Sequence, residues 1–479
     1  MKSINQTVQK TPRPIKILQY GEGNFLRGFA EYMVDIANEK AVFDGSVQIV
    51  KAVPFGSVAP LSEQDCVYTV LLRGIQKGEP YVEKRIITCV EDAVDAYEEY
   101  ERYAAFAKKA ELRFIISNTT EAGIVYDPND DMALNPPISY PGKLTKFLHT
   151  RFTHFNGQKE KGLIILPVEL IENNGGKLKE YCLKTARSWD LPEEFCAWLS
   201  ECNMFCNTLV DRIVVGYPKD EICELEKELD YRDNVLVAGE PFALWVIESA
   251  EPQKLAHEFP LDKAGLPVIF TDNLKPYRDR KVRILNAAHT SSALAAYLCG
   301  LDTVGEMMGD KTMRAFLEGA VYEELAPTVE LPSDEVKQFA DSVMERFENP
   351  FIKHSLFSIS LNSVSKFTAR VLPSIMDTHD KTGTLPKMLC FSLAALIEFY
   401  SAGKRNDEKY TVLDDKAVLD FFTDNKDMPG DEFVGLLLKR TDFWGRDLSL
   451  IPHLCETVAE HLENIRAKEM RAAVEAVLQ

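Results

Sequence analysis

The segment that most restricts what this chain can fold into lies near its start. Ile15-Lys16-Ile17-Leu18-Gln19-Tyr20 is a short apolar strand pattern that runs straight into Gly21-Glu22-Gly23, and the helix-like stretch Asn24 to Lys40 follows. A strand, a glycine turn and a helix in that order is how a dinucleotide-binding sheet begins. The turn lets backbone N–H groups approach a pyrophosphate at the helix N-terminus. The same pattern also fits a tight strand-to-helix turn that binds nothing, because the usual third glycine position holds Leu26.

Further strand patterns follow at Val47 to Val53, Arg113 to Ser117 and Gly162 to Pro167, separated by helical stretches, and this alternation predicts a parallel α/β sheet. From about Pro260 onward the texture changes. Long amphipathic patterns take over, at Asn286 to Leu301, Met388 to Ser401 and Pro452 to Leu478. A chain of 479 residues exceeds one ordinary core. The expected architecture is a Rossmann-like dinucleotide-binding domain over residues 1–258 and a mostly α-helical domain over 259–479.

Composition narrows the partners. The formal charge of -19, from 74 acidic against 55 basic residues, repels a nucleic acid. It does not exclude an anionic sugar acid, since a few local Lys and Arg side chains can dominate the field inside a cleft. The ten cysteines are scattered, and the closest pair, Cys202 and Cys206, has no matching pair or His cluster of the kind zinc needs, so reduced thiols are expected. No segment approaches the roughly 20 apolar residues of a membrane span, and the polar start MKSINQTVQKTPRP has no apolar stretch behind it. The expectation is a cytoplasmic protein without membrane partners; oligomeric state is not indicated.

The dinucleotide fingerprint also wants an acidic residue at the end of the second strand, to hold the adenosine ribose. Val50-Lys51-Ala52-Val53-Pro54-Phe55-Gly56-Ser57 offers no carboxylate there, which leaves NAD and NADP open. Lys51 and Ser57 could meet a 2′-phosphate, or Lys51 is a solvated surface residue.

In Lys281-Val282-Arg283-Ile284-Leu285-Asn286-Ala287-Ala288-His289, a helix at 100° per residue puts Asn286 and His289 on one face, and Lys281, Asn286 and His289 fit an arc of roughly 140°. A Lys whose pKa is lowered by burial can protonate the alkoxide formed when a carbonyl is reduced. An Asn amide can donate to that oxyanion, and a His can hold the Lys or a substrate hydroxyl. The alternative is a surface Lys, a capping Asn and a satisfied His. Asn173-Asn174-Gly175-Gly176 looks like a turn, and Asp211-Arg212 like a structural ion pair.

Together these segments resemble the long-chain polyol-specific dehydrogenases of the mannitol dehydrogenase type. The family's Lys-x4-Asn-x2-His signature falls on Lys281, Asn286 and His289, its Val-Asp-Arg on Val210, Asp211 and Arg212, and its Glu-Pro-Phe…Trp-Val-Ile-Glu on Glu240 to Phe242 and Trp245 to Glu248. The resemblance implies an NAD-dependent oxidoreductase that uses no metal. Lys281 would be the general acid/base, Asn286 and Asn174 the oxyanion pocket, with His289 beside them. It implies cofactor contacts at Leu18, Gly21, Glu22, Gly23, Asn24, Phe25, Leu26, Arg27, Gly28, Thr119 and Asp211.

Val168-Glu169-Leu170-Ile171-Glu172-Asn173-Asn174-Gly175 replaces the Cys-Asp-Asn of the mannitol-type members and is similar to the form in the family's sugar-acid reductases. Ser358 stands where polyol-oxidising members carry an Arg eight residues before a substrate-binding Lys, here Lys366. Lys366 and Arg370 are therefore the cations expected near a sugar-acid carboxylate, with Asn362 and His354 as further candidates.

Overall fold

The computed structural model describes residues 1–119, 123–405 and 407–479. They gather into two units, one of 1–74 with 80–274, the other of 75–79 with 275–479.

The main sheet of the first unit has six strands: β1 (Ile15–Tyr20), β2 (Ser46–Lys51), β3 (Val90–Asp95), β4 (Phe114–Ser117), β5 (Ile164–Pro167) and β6 (Met204–Phe205). Their order is β3-β2-β1-β4-β5-β6, and every neighbouring pair is parallel. This is the doubly wound dinucleotide order, whose winding reverses between β1 and β4.

A parallel sheet is covered on both faces, so its strands carry apolar residues at consecutive positions. In β1, Ile17 joins one core with Phe29, Met33 and Trp245, while Leu18 joins the opposite one with Tyr103, Leu144 and Leu178. Helix α1 (residues 24–39) supplies the first core and widens into a π turn over Arg27–Glu31. Helices α2 (Tyr140–His154) and α3 (Asn174–Ser188) cover the other face.

The first unit continues past the expected boundary at 258 to Leu274. The reason is a strand of only four residues, Val268–Thr271, which pairs in parallel with Leu244–Glu248 and is too short to interrupt a helical texture.

The second unit is helical. Helix α4 (residues 275–298) has a π turn over Lys281–Asn286, where the Ala287 N–H reaches the Val282 carbonyl. It is joined by α5 (Ser333–Phe347), α6 (Ser363–Arg370), α7 (Lys387–Ala402) and α8 (Leu454–Val477). Helix α7 is apolar nearly all round, the pattern of a helix enclosed by others, and it packs against α4 and α8. Among the described residues no helix is long and apolar enough to cross a membrane.

Candidate active site

The glycine turn sits at the carboxyl ends of β1 and β4, where the sheet changes direction. The Asn118 N–H donates to the Tyr20 carbonyl at 3.0 Å, and the Gly21 N–H to the Val50 carbonyl at 3.0 Å. Gly21 has φ +114°, and a Cβ there would stand 2.9 Å from the Asn118 carbonyl oxygen, so both the conformation and the space demand glycine. A Cβ at Gly23 would meet nothing within 4 Å. The turn's backbone is thus open immediately before the first residues of α1, where unsatisfied N–H groups favour an anion. These residues fit a dinucleotide pyrophosphate.

Of the cofactor contacts the resemblance implies, the structure turns only some outward. Gly23 and Asn24 are exposed, and Gly21, Glu22 and Phe25 half-buried. Leu18 and Leu26 are core residues, so their side chains serve packing. Arg27 is buried: its guanidinium donates to the Glu22 carbonyl at 3.1 Å, the Asn24 Oδ1 at 2.6 Å and the Val235 carbonyl at 2.5 Å, and lies over the Tyr68 ring. It braces the turn. Gly28 takes over the close-packing role of the missing third glycine, because a Cβ there would come within 3.1 to 3.3 Å of Val237 and Val214.

Thr119 directs both its N–H and its hydroxyl to the buried Glu169, each at 2.9 Å. Asp211 is buried at the end of Asn207–Asp211. Of the expected Asp211-Arg212 pair, the Arg donates to the carbonyls of Gly28, Pro241 and Phe242 at 2.8, 3.1 and 3.0 Å.

Asn174, expected in the oxyanion pocket, is enclosed by backbone partners. Asn173 takes the left-handed conformation at φ 55°, and Asn174 begins α3 wholly buried. Its Nδ2 lies 3.0, 3.1 and 3.2 Å from the carbonyls of Pro167, Glu169 and Thr208, while its Oδ1 accepts the Gly175 and Thr208 N–H groups at 2.9 Å each. In this arrangement both amide hydrogens are directed at backbone carbonyls. Asn174 holds the ends of β5, α3 and the strand at Asn207–Asp211 together.

Asn286 is the contrasting case. It is half-buried, and its side-chain amide makes no hydrogen bond among the described residues. The π turn matters here. In an α-helix Lys281 and Asn286 would sit roughly 140° apart, whereas i→i+5 closure stacks residues five apart more nearly in line. Arg283 points elsewhere, paired with Asp377 and donating to the Thr328 carbonyl at 3.0 Å.

One turn on, the His289 ring stacks on Phe347 with centroids 4.1 Å apart and meets His354 at 4.9 Å. Its Nδ1 is buried with no partner among the described residues, although the residue as a whole keeps some exposure. Burial holds its pKa well below the ordinary imidazole value, and His354, Arg346, Arg370 and Lys366 push it further the same way. His289 is therefore neutral at physiological pH, one ring nitrogen a donor and the other an acceptor.

Lys366 and Arg370 complete the group. The Lys366 ammonium donates to the Ile359 carbonyl at 3.0 Å, and Arg370 to the Thr290 hydroxyl at 3.3 Å, which itself donates to the Asn286 carbonyl at 2.9 Å. Neither cation forms an ion pair among the described residues, and both have pKa values lowered by burial, Lys366 also by Arg370 against the partly offsetting charge of Asp414. Asn362 is an exposed left-handed residue, φ 52°, that starts α6 and stands beyond this group as a turn former. The sequence pattern did not single out Arg346 or Phe347, since an amphipathic helix ending at Phe347 says which face is inward but not that His289 lies against it.

A doubly wound dinucleotide sheet, joined in one chain to a helical unit carrying the Lys-Asn-His set, defines a dehydrogenase class. The chain matches the mannitol dehydrogenase Rossmann domain over residues 15–261 and the mannitol dehydrogenase C-terminal domain over 273–466, and it belongs to the mannitol dehydrogenase family. It is similar to the altronate oxidoreductases of Escherichia coli O7:K1 and Shigella flexneri, each 46% identical over 468 residues, 96% of this chain and 96% of theirs. In fold it is similar to a D-sorbitol dehydrogenase solved in substrate-free form, with TM-score 0.82 and 21% identity over 99% of this chain and 100% of that one. It is also similar to Pseudomonas fluorescens mannitol 2-dehydrogenase, solved as a ternary complex with NAD and D-mannitol, with TM-score 0.68 and 21% identity over 97% and 94%.

Proposed function

We propose that this chain is an NAD-dependent altronate oxidoreductase, which interconverts D-tagaturonate and D-altronate and acts in the cytoplasm. The observation that carries the sugar-acid reading is the pair Lys366 and Arg370, half-buried beside a neutral His289, neither of them in an ion pair among the described residues and Lys366 only partly offset by Asp414. In a chain of net charge -19, two such cations are best explained by an anionic ligand. The near full-length similarity to altronate oxidoreductases supports the same reading, and the ten free cysteines suit a reducing compartment.

The glycine turn of the first unit would hold the NAD pyrophosphate, and bound NADH supplies the hydride equivalent. On the second unit, Lys281 delivers the proton to the ketone oxygen and withdraws it in the reverse direction. The Asn286 amide donates to the same oxygen as charge develops on it. His289 orients a substrate hydroxyl or Lys281, and Lys366 with Arg370 binds the carboxylate. Asn174 acts on the fold of the cofactor unit.

Initial rates with NADH and either ketouronate test this. The expected result is the higher kcat/KM on tagaturonate. A substantially higher value on fructuronate overturns the substrate and makes the chain a fructuronate reductase. No turnover of either by well-folded protein makes it a non-catalytic, NAD-binding regulator.

A further inference from the structure

Sheets of this order normally hold the adenosine ribose with a carboxylate at the end of β2. Here β2 ends on Lys51, which is neither solvated nor free to meet a phosphate. Its ammonium stands 2.8 Å from Asp95 Oδ2 at the end of β3, with the two side chains only 4% and 8% exposed, and 3.3 Å from the Gly56 carbonyl. The acid has moved one strand over, and its charge is answered by that lysine.

A second carboxylate reaches the same region from the glycine turn. Oε1 of Glu22 lies 3.4 Å from where a Cβ on Gly56 would be, so the side chain crosses from the β1–α1 turn to the loop that follows β2. It forms no ion pair among the described residues, and its hydrogen bond there is from its own backbone N–H. Burial raises its pKa, its own backbone N–H and then Lys51 and Arg27 draw it back down, and Asp95 adds to the rise, which sets this carboxyl among the charges that close β2 and β3.

We propose that Glu22 replaces the missing acid of β2: its carboxylate accepts the adenosine ribose hydroxyls of NAD and repels the 2′-phosphate of NADP, while Asp95 keeps Lys51 from pairing with that phosphate. This rests on the reading of the first unit as a dinucleotide site. The residue that sets cofactor choice then belongs to the pyrophosphate turn, not to β2. A carboxylate one side chain away from a dianionic phosphate discriminates by like-charge repulsion, and Glu22 is held there by a turn whose backbone Gly21 and Arg27 already fix.

The test is direct binding. Dissociation constants of NADH and NADPH are measured by nicotinamide fluorescence on the full-length wild type and the variants Glu22→Gln, Glu22→Ser and Asp95→Asn, each checked by its melting temperature. The wild type should prefer NADH by about a hundredfold, and both Glu22 variants should narrow that ratio by about tenfold, chiefly by tightening NADPH. Asp95→Asn, which frees the Lys51 ammonium, should also tighten NADPH. An unchanged ratio in a folded Glu22 variant, or equal weakening of both nucleotides, overturns the proposal. Wild-type protein that binds neither nucleotide instead removes the reading of the dinucleotide site.

Discussion

In the first unit, three buried polar side chains around the cofactor turn are answered from within, although Gln19 Oε1 is not: Arg27 by three acceptors, Lys51 by Asp95, Asn174 by three carbonyls and two N–H groups. In the second, the Asn286 amide and His289 Nδ1 have no partner among the described residues, and Lys366 and Arg370 form no ion pair there, Asp414 only partly offsetting Lys366. The difference separates two ways of recognising a ligand. A pyrophosphate is met by backbone whose shape must be rigid, so most side chains there, Glu22 apart, finish the fold. A reacting carbonyl and a carboxylate are met by side chains whose demands stay open until the ligand arrives, at a cost in stability.

The sharpest break in that comparison is Lys281→Ala. Loss of the general acid should lower kcat by about a thousandfold, while the dissociation constant for NADH, measured by fluorescence titration, stays within about twofold of wild type. A parallel loss of NADH affinity would mean Lys281 acts on the cofactor unit and the division is drawn in the wrong place.

The two asparagines should then part company. Asn286→Ala is expected to lower kcat by about a hundredfold with an unchanged melting temperature, since it removes a donor that acts only as charge develops. Asn174→Ala should destabilise the protein by about 2 to 4 kcal/mol, because it leaves several buried backbone groups unpaired; thermal and urea melts measure it. Catalytic loss without destabilisation in Asn174→Ala would restore that residue to the oxyanion pocket.

This pair also shows how much could be read from the sequence. The glycine turn, the parallel sheet, the helical second half and the Lys281, Asn286 and His289 spacing were legible because each depends on local periodicity or on the conformation glycine permits. The fate of Asn174 was not, because its acceptors come from Pro167, Glu169 and Thr208 on three separate segments. Lys51 was misread for the same reason: its partner lies 44 residues away, at the end of the adjacent strand. The sequence pattern also assumed α-helical turns at Lys281, and the π turn that aligns it with Asn286 follows no residue rule.

A smaller effect tests the two cations. Lys366→Met should raise KM for the ketouronate by roughly 10- to 100-fold, leave the rate with an uncharged ketose little changed, and not lower the melting temperature, since it removes a half-buried cation repelled by Arg370. A clear loss of stability would show that Lys366 belongs to the fold.

The weakest expected effect is the dependence of stability on pH. His289 and His354 both have pKa values held below the ordinary 6.5, first by burial. Below about pH 6.5 the unfolded chain therefore takes up protons that the folded unit refuses. Unfolding binds protons in that window, so stability should fall as pH drops from 6.5 towards the depressed folded values, and be insensitive to these groups above it. Glu and Asp titration adds its own slope at lower pH, so the diagnostic is a difference. Between pH 7.5 and 5.5 the melting temperature of His289→Gln should fall less than that of wild type. Saturating altronate should flatten the wild-type curve too, because a bound carboxylate offsets Lys366 and Arg370 and lets His289 accept a proton more readily. Identical slopes in wild type and His289→Gln, with and without altronate, would separate His289 from the cation group and leave Lys366 and Arg370 alone to meet the anion.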